Sequence, residues 1–200
     1  MNFRRKARRF ILRFAKTVRI VTVAPVPALV LFTILFFVTE KISRAEYICA
    51  LLTISVMPTL AYPLQKILPP WKHRGREGQR TLAMIMSTLG YITATASAFI
   101  LGFGADVTRV FITYLLSGAS LLIINKLFHI KASGHACGLA GPMGVIVLYT
   151  GPTGLIIGCA VFALMVWSSL RLRSHTASQL IIGAAVPNII YYTIILTSVI

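Results

Sequence analysis

Apolar residues fill most of the chain in long blocks, broken by short polar stretches, and the block lengths match a bilayer better than a soluble core. A spanning helix needs about 20 mainly apolar residues to cross roughly 30 Å of hydrocarbon. By that measure the segments near 20–39, 47–65, 81–103, 110–125, 135–150, 152–170 and 177–200 predict spans. The expected fold is an all-α polytopic membrane bundle of about six to seven transmembrane helices, a single domain over 20–200. The fifth segment carries Gly138, Gly141 and Gly144 behind Gly134, small residues that let helices approach closely in lipid. Pro25, Pro27, Pro58, Pro63, Pro142 and Pro187 fall within the runs and predict kinks whose freed backbone groups neighbouring helices satisfy.

Ahead of the first span, residues 1–19 place Phe3, Ala7, Phe10, Phe14 and Val18 three or four apart among eight Lys and Arg. This pattern predicts a basic amphipathic helix on an anionic membrane surface. A signal peptide is the rival reading, but the following apolar run ends Phe-Phe-Val-Thr-Glu-Lys without a small-residue cleavage site. Nucleic-acid binding is disfavoured because no aromatic platform or recognition fold accompanies the tail. With seven spans, one side of the membrane receives 17 basic residues and the other only Lys41, Arg44 and Arg109. The richer side is expected to be cytoplasmic.

Composition narrows the chemistry. The chain is 57% hydrophobic and 12% charged, with a formal net charge of +16 from 20 Lys and Arg against four acids. Such an excess suits anionic lipid head groups or phosphate, and Glu40, Glu46, Glu77 and Asp106 are too few for a two-metal site or a paired-carboxylate glycosidase. Cys49, Cys137 and Cys159 are odd in number and unclustered, so they read as buried hydrophobes without a disulfide or zinc framework. No metal and no cofactor are expected.

Two of the four histidines stand where chemistry is plausible. His135 ends Lys131-Ala-Ser133-Gly134-His135 at the start of the fifth segment, and His175 follows Arg171-Leu-Arg173-Ser at the start of the seventh. Both belong to the face that carries Lys72-His-Arg-Gly-Arg76-Glu-Gly-Gln-Arg80. Ionisable groups entering a bilayer are costly, so a cluster at one depth suggests function. Histidines among guanidinium groups fit phosphoryl transfer: arginine forks match phosphate oxygens, one imidazole attacks phosphorus and another protonates the departing oxygen. His73 and His129 read as interfacial anchors, and Arg74 and Arg76 serve topology as readily as phosphate.

Lys-Ala-Ser-Gly-His, followed by Trp-Ser-Ser-Leu-Arg-Leu-Arg-Ser-His-Thr-Ala-Ser-Gln-Leu-Ile-Ile-Gly, resembles the second and third signature motifs of the type 2 phosphatidic acid phosphatase superfamily. These are integral-membrane, metal-independent lipid phosphatases, and the resemblance covers roughly residues 66–185. It implies that His175 is the nucleophile forming a phosphohistidine and His135 the acid for the leaving group. Arg80, Arg76, Lys131, Ser133, Gly134 and Arg171 or Arg173 would hold the phosphate. Three departures stand out: Thr81 occupies the place of the first motif's proline, Ser169 that of the third motif's arginine, and Gln179 that of the acid four residues past the nucleophile. On a helix Gln179 still lies beside His175, and its amide oxygen orients the ring without supplying a negative charge.

The leading expectation is a phosphatase acting on phosphatidate, phosphatidylglycerol phosphate or a polyprenyl diphosphate, with a membrane lipid phosphate and the anionic phospholipid surface as partners. The alternative is a non-catalytic relative that binds or moves anionic lipids. A carboxylate-dependent undecaprenyl diphosphate phosphatase is disfavoured, since the resemblance there would be to a pattern rich in membrane glutamates. The oligomeric state is left open.

Overall fold

The computed structural model describes residues 2–197, with side chains from residue 6 onward, so the side chains of Phe3, Arg4 and Arg5 and the last three residues lie outside the described part. Every element within it is helical. The tail helix α1 (Asn2–Val21) runs past the expected boundary at residue 19. It stops because Pro25 and Pro27, which open α2 (Pro25–Phe37), have no N–H to continue the ladder. The first apolar helix is therefore 13 residues long instead of the expected 20, and it bends from α1 by 51°.

The second apolar run is also broken. It comprises α3 (Arg44–Ala50), a π-helical stretch (Leu51–Val56), α4 (Met57–Thr59) and α5 (Ala61–Ile67). Pro58 cannot donate to Ile54, and the wider turn just before it, with Met57 N–H reaching Leu52 O, absorbs the missing bond. Leu68 is extended ahead of Pro69, as a residue preceding proline must be. The stretch 66–80, expected as a loop, instead holds the short α6 (Pro69–Lys72) and the beginning of α7 (Gly75–Leu101). Arg76 and Arg80 thus ride one face of the first turns of a helix.

Helix α8 (Ala105–Leu127) is longer than the expected 110–125, and α10 (Ala177–Thr197) fills the last run. Between them α9 (Gly134–Arg171) holds 38 residues with Gly151 in a non-helical conformation, φ 61° and ψ −138°. Across a straight helix residues 143 and 158 would stand about 22 Å apart. A Cβ on Gly158 would instead sit 3.7 Å from the Met143 Cβ, so α9 doubles back at Gly151. Its limbs, 134–150 and 152–171, coincide with the fifth and sixth expected segments, and their far ends return to the same end of the bundle.

Four helices, α7 to α10, are long and apolar enough to cross a membrane, and the count reaches six if the bent pairs α1–α2 and α3–α5 each make one span. The main packed cluster joins Leu31, Phe32 and Leu35 of α2, Ile54, Phe111 of α8, Val145 of α9 and Tyr191 of α10. Large apolar side chains such as Ile100, Ile181 and Leu196 face outward, 80%, 68% and 83% exposed, as helices surrounded by lipid require.

The two ends of the bundle differ in charge. At one, Glu46 caps α3 through Ser43 and accepts the Gly104 N–H at 2.5 Å, while Asp106 pairs with Arg109 at 3.8 Å. Tyr149, beside the α9 reversal, hydrogen-bonds both Asp106 and Tyr191. The other end gathers Arg19, Arg80, Lys131, Arg171 and Arg173.

Gly151→Ala is expected to cost about 1–3 kcal/mol, because an L residue at that φ and ψ is strained. A thermal melt of the purified variant in detergent measures this, and an unchanged midpoint would place the reversal elsewhere.

Candidate functional site

One backbone contact brings the second and third motifs together. Ser133 N–H donates to Gln179 O at 2.9 Å, joining the start of α9 to the first turn of α10. The approach is so close that a Cβ on Gly183 would collide with the Ser133 backbone. Only glycine fits at that position. Two helix N-termini consequently meet, and their partial positive charges favour an anion.

Each start is capped by its own sequence. Ser133 Oγ accepts from Ala136 N–H at 3.2 Å, and Ser133 is fully buried. Its hydroxyl therefore serves the helix, a different task from the phosphate contact expected of it. Thr176 and Gln179 form a reciprocal pair: Thr176 Oγ1 accepts from Gln179 N–H at 3.4 Å, and Gln179 Oε1 accepts from Thr176 N–H at 3.2 Å. The same Oε1 lies 3.2 Å from His175 Nδ1. Because that oxygen already accepts from a backbone N–H, Nδ1 must carry the proton. The neutral ring then presents its Nε2 lone pair to whatever lies in front of it.

His135 is fixed differently. Its Nε2 is 2.9 Å from Thr22 Oγ1, and Thr22 Oγ1 donates to Val18 O at 2.8 Å. With the hydroxyl proton spent on Val18, Nε2–H is the donor, and an acid role requires a second proton on Nδ1. This bond docks the end of α1 on α9, assisted by Ala24 against Gly138 and by Phe14 against Trp167 with ring centroids 5.8 Å apart. Arg19, one helical turn before Thr22 and on its face, is carried to the histidines. Counting it only among tail charges missed this role, and the signal lay in the spacing Arg19-x-x-Thr22.

Burial lowers the proton affinity of His175, the hydrogen bond its Nδ1–H donates to Gln179 Oε1 opposes that, and the charges of Arg19 and Arg80 lower it further. The two imidazoles are themselves electrostatic neighbours. In front of His175 lies an open cleft of about 430 Å³ lined by Lys131, Arg173, Ser174, Thr176 and Gln179. Gly134 begins α9, with open space where a Cβ would be.

The structure thus brings together His135, His175, Gln179, Arg80, Lys131 and Arg173. Arg171 is exposed at the end of α9, and Arg76 is exposed one turn before Arg80; neither lines the cleft. Arg74 stacks over Trp71, 5.5 Å from the ring centroid, which accounts for it without phosphate. His73 and His129 are exposed. Among the described residues no three His, Cys, Asp or Glu side chains converge to hold a metal ion. No family model, no curated protein and no solved structure matches the chain.

The lowered affinity of His175 has a definite sign. As pH falls through about 6.5 the unfolded chain takes the proton before the folded one, so acidification costs folding stability. In a histidine-resolved NMR titration the His175 midpoint should fall below 6.5. Arg19→Gln should raise it by removing a positive neighbour, and Gln179→Leu should lower it further. A midpoint at or above the ordinary value would refute this account of the surroundings.

Proposed function

We propose that the chain is a membrane-embedded, metal-independent lipid phosphatase acting on a lipid phosphate ester or diphosphate through a phosphohistidine. The observation that carries the reading is the juxtaposition of a ring-oriented His175, a second imidazole and four cations (Arg19, Arg80, Lys131, Arg173) around two joined helix starts, at the basic end of an apolar bundle. The cations and helix ends hold phosphate oxygens. His175 Nε2 attacks phosphorus as the bond to the leaving oxygen breaks, and that oxygen takes a proton from His135 in its imidazolium form. Water then attacks the phosphohistidine and gives a proton to the now neutral His135, while the electron pair of the P–N bond returns to Nε2 and phosphate is released.

Counting the doubled-back α9 as two crossings, α2 with the end of α1 as one and α3–α5 as one gives seven spans, with the basic beginning of α1 at the interface against anionic phospholipid. The basic excess at the site's end supports a cytoplasmic site, one that meets lipids of the inner leaflet. A second reading, a protein that binds anionic lipids without chemistry, is favoured by one observation: Gln179 is fully employed as a cap, and the partner of His175 is an amide where a carboxylate would activate it.

Phosphate release from phosphatidate, phosphatidylglycerol phosphate and a prenyl diphosphate, measured in detergent with a chelator, separates the two. His175→Ala should lower turnover at least about 10²–10⁴-fold, and so should His135→Ala on a monophosphate, both with unchanged folding. No release by the wild type, or full release by His175→Ala, would sink the mechanism.

Orientation has its own test. Arg76→Cys and Arg173→Cys, each in a chain lacking the three native cysteines, should resist a membrane-impermeant thiol reagent in intact cells and react after permeabilisation. Labelling of both without permeabilisation would reverse the orientation, and labelling of one alone would refute seven crossings.

A further inference from the structure

A second cavity, about 320 Å³, runs between α2 and the two limbs of α9. One wall is the α2 stripe Val26, Val30 and Ile34, and the others present Met143, Ile146 and Ile157. On the returning limb Gly154 and Gly158 contribute no side chain, which keeps the furrow open. Its upper end is Thr22, the residue whose hydroxyl accepts from His135. From Leu139 to Thr150 it follows eleven residues of helix, about 16 Å, which is half of a hydrocarbon core roughly 30 Å thick.

We propose that this groove holds one acyl-length hydrocarbon chain of a phosphate-bearing lipid whose head group lies at Arg19, His135 and Lys131. The inference rests on the lipid-phosphate reading above and narrows it. Three features select this occupant. The groove is apolar along its length and sits among helices that face lipid. Its end at Thr22 is one hydrogen bond from His135 of the basic site, so charge beside one end and hydrocarbon along the rest match an anionic amphiphile. Its depth is that of a single leaflet, which accommodates an acyl chain and leaves most of a long polyprenyl chain outside. A chain entering it exchanges bilayer hydrocarbon for equally apolar side chains, so the groove selects by length and fit while the charged end anchors the head group.

The test uses the full-length protein in detergent with a hexadecyl phosphate bearing a photoactivatable diazirine at the chain terminus. Mass spectrometry should locate the label on residues 143–161 and 26–34. Unlabelled hexadecyl phosphate should compete and hexyl phosphate should not. Val30→Trp fills the groove from α2, where Val30 is 43% exposed. Gly158→Leu fills it from α9, where a Cβ meets Met143 only at the ordinary distance of 3.7 Å. Each should reduce labelling by about tenfold, whereas Ile100→Trp on the outer face of α7 should not.

Label spread over the outer faces of α7 and α8, or retained in both filled variants, overturns the proposal. Cross-linked dimers through 26–34 would overturn it in favour of a contact between copies. Phosphate release is followed in the same samples. Groove labelling without release leaves the chain site standing and sinks the phosphatase; release that neither filled variant alters for a long-chain substrate sinks the groove alone.

Discussion

A single backbone hydrogen bond, from Ser133 N–H to Gln179 O, is the joint on which the site depends. A buried N–H must find a partner, and this one finds it on another helix only because Gly183 has no side chain. With that joint made, the starts of α9 and α10 are neighbours, and their dipoles add to the charges of Arg80, Lys131 and Arg173. The reversal at Gly151 is its topological counterpart. It returns the second limb of α9 to the end where the first began, so that Ser169 to His175 arrive beside Ser133 within one stretch of chain.

The bilayer as solvent explains why the polar groups are divided as they are. Hydrocarbon rewards neither end of the bundle, so polar side chains collect at the termini of the helices and settle there by charge. Glu46 and Asp106 tie loops and helices together at the far end through Ser43, Gly104, Arg109 and Tyr149. The other end has Glu77, in the first turn of α7, as its acid, and its cations are left with little internal neutralisation. An anion entering from outside meets a field that the protein has not already satisfied.

Most of the helical architecture was legible in the order of apolar blocks, because a lipid-facing helix cannot disguise its composition. The positions of Gly134, His135 and His175 at helix starts were legible too, and so was the nearness of Gln179 to His175, since four residues make a turn. What escaped was tertiary. The spacing Arg19-x-x-Thr22 puts the two residues on one face, but nothing local announces that this face leans on α9 through Thr22. The capping pattern Thr176-x-x-Gln179 was visible in the sequence but was masked by the catalytic interest of its second member. Ser133 likewise looked like a ligand and proved to be a cap, since hydroxyls near helix starts serve their own backbone first. The short, bent first two apolar helices reflect proline pairs whose effect on length is set by how neighbours accommodate the break.

The shared oxygen of Gln179 has a consequence for motion. It holds the first turn of α10 and the ring of His175 at once, so the orientation of the imidazole is only as durable as a helix end. Terminal turns open far more readily than the body of a fold. Each fraying event at Thr176 frees the ring to rotate and leaves Nε2 pointing elsewhere. The fraction of molecules competent at any instant is then set by a local opening equilibrium of a few residues, while the global stability of the bundle can change without altering it.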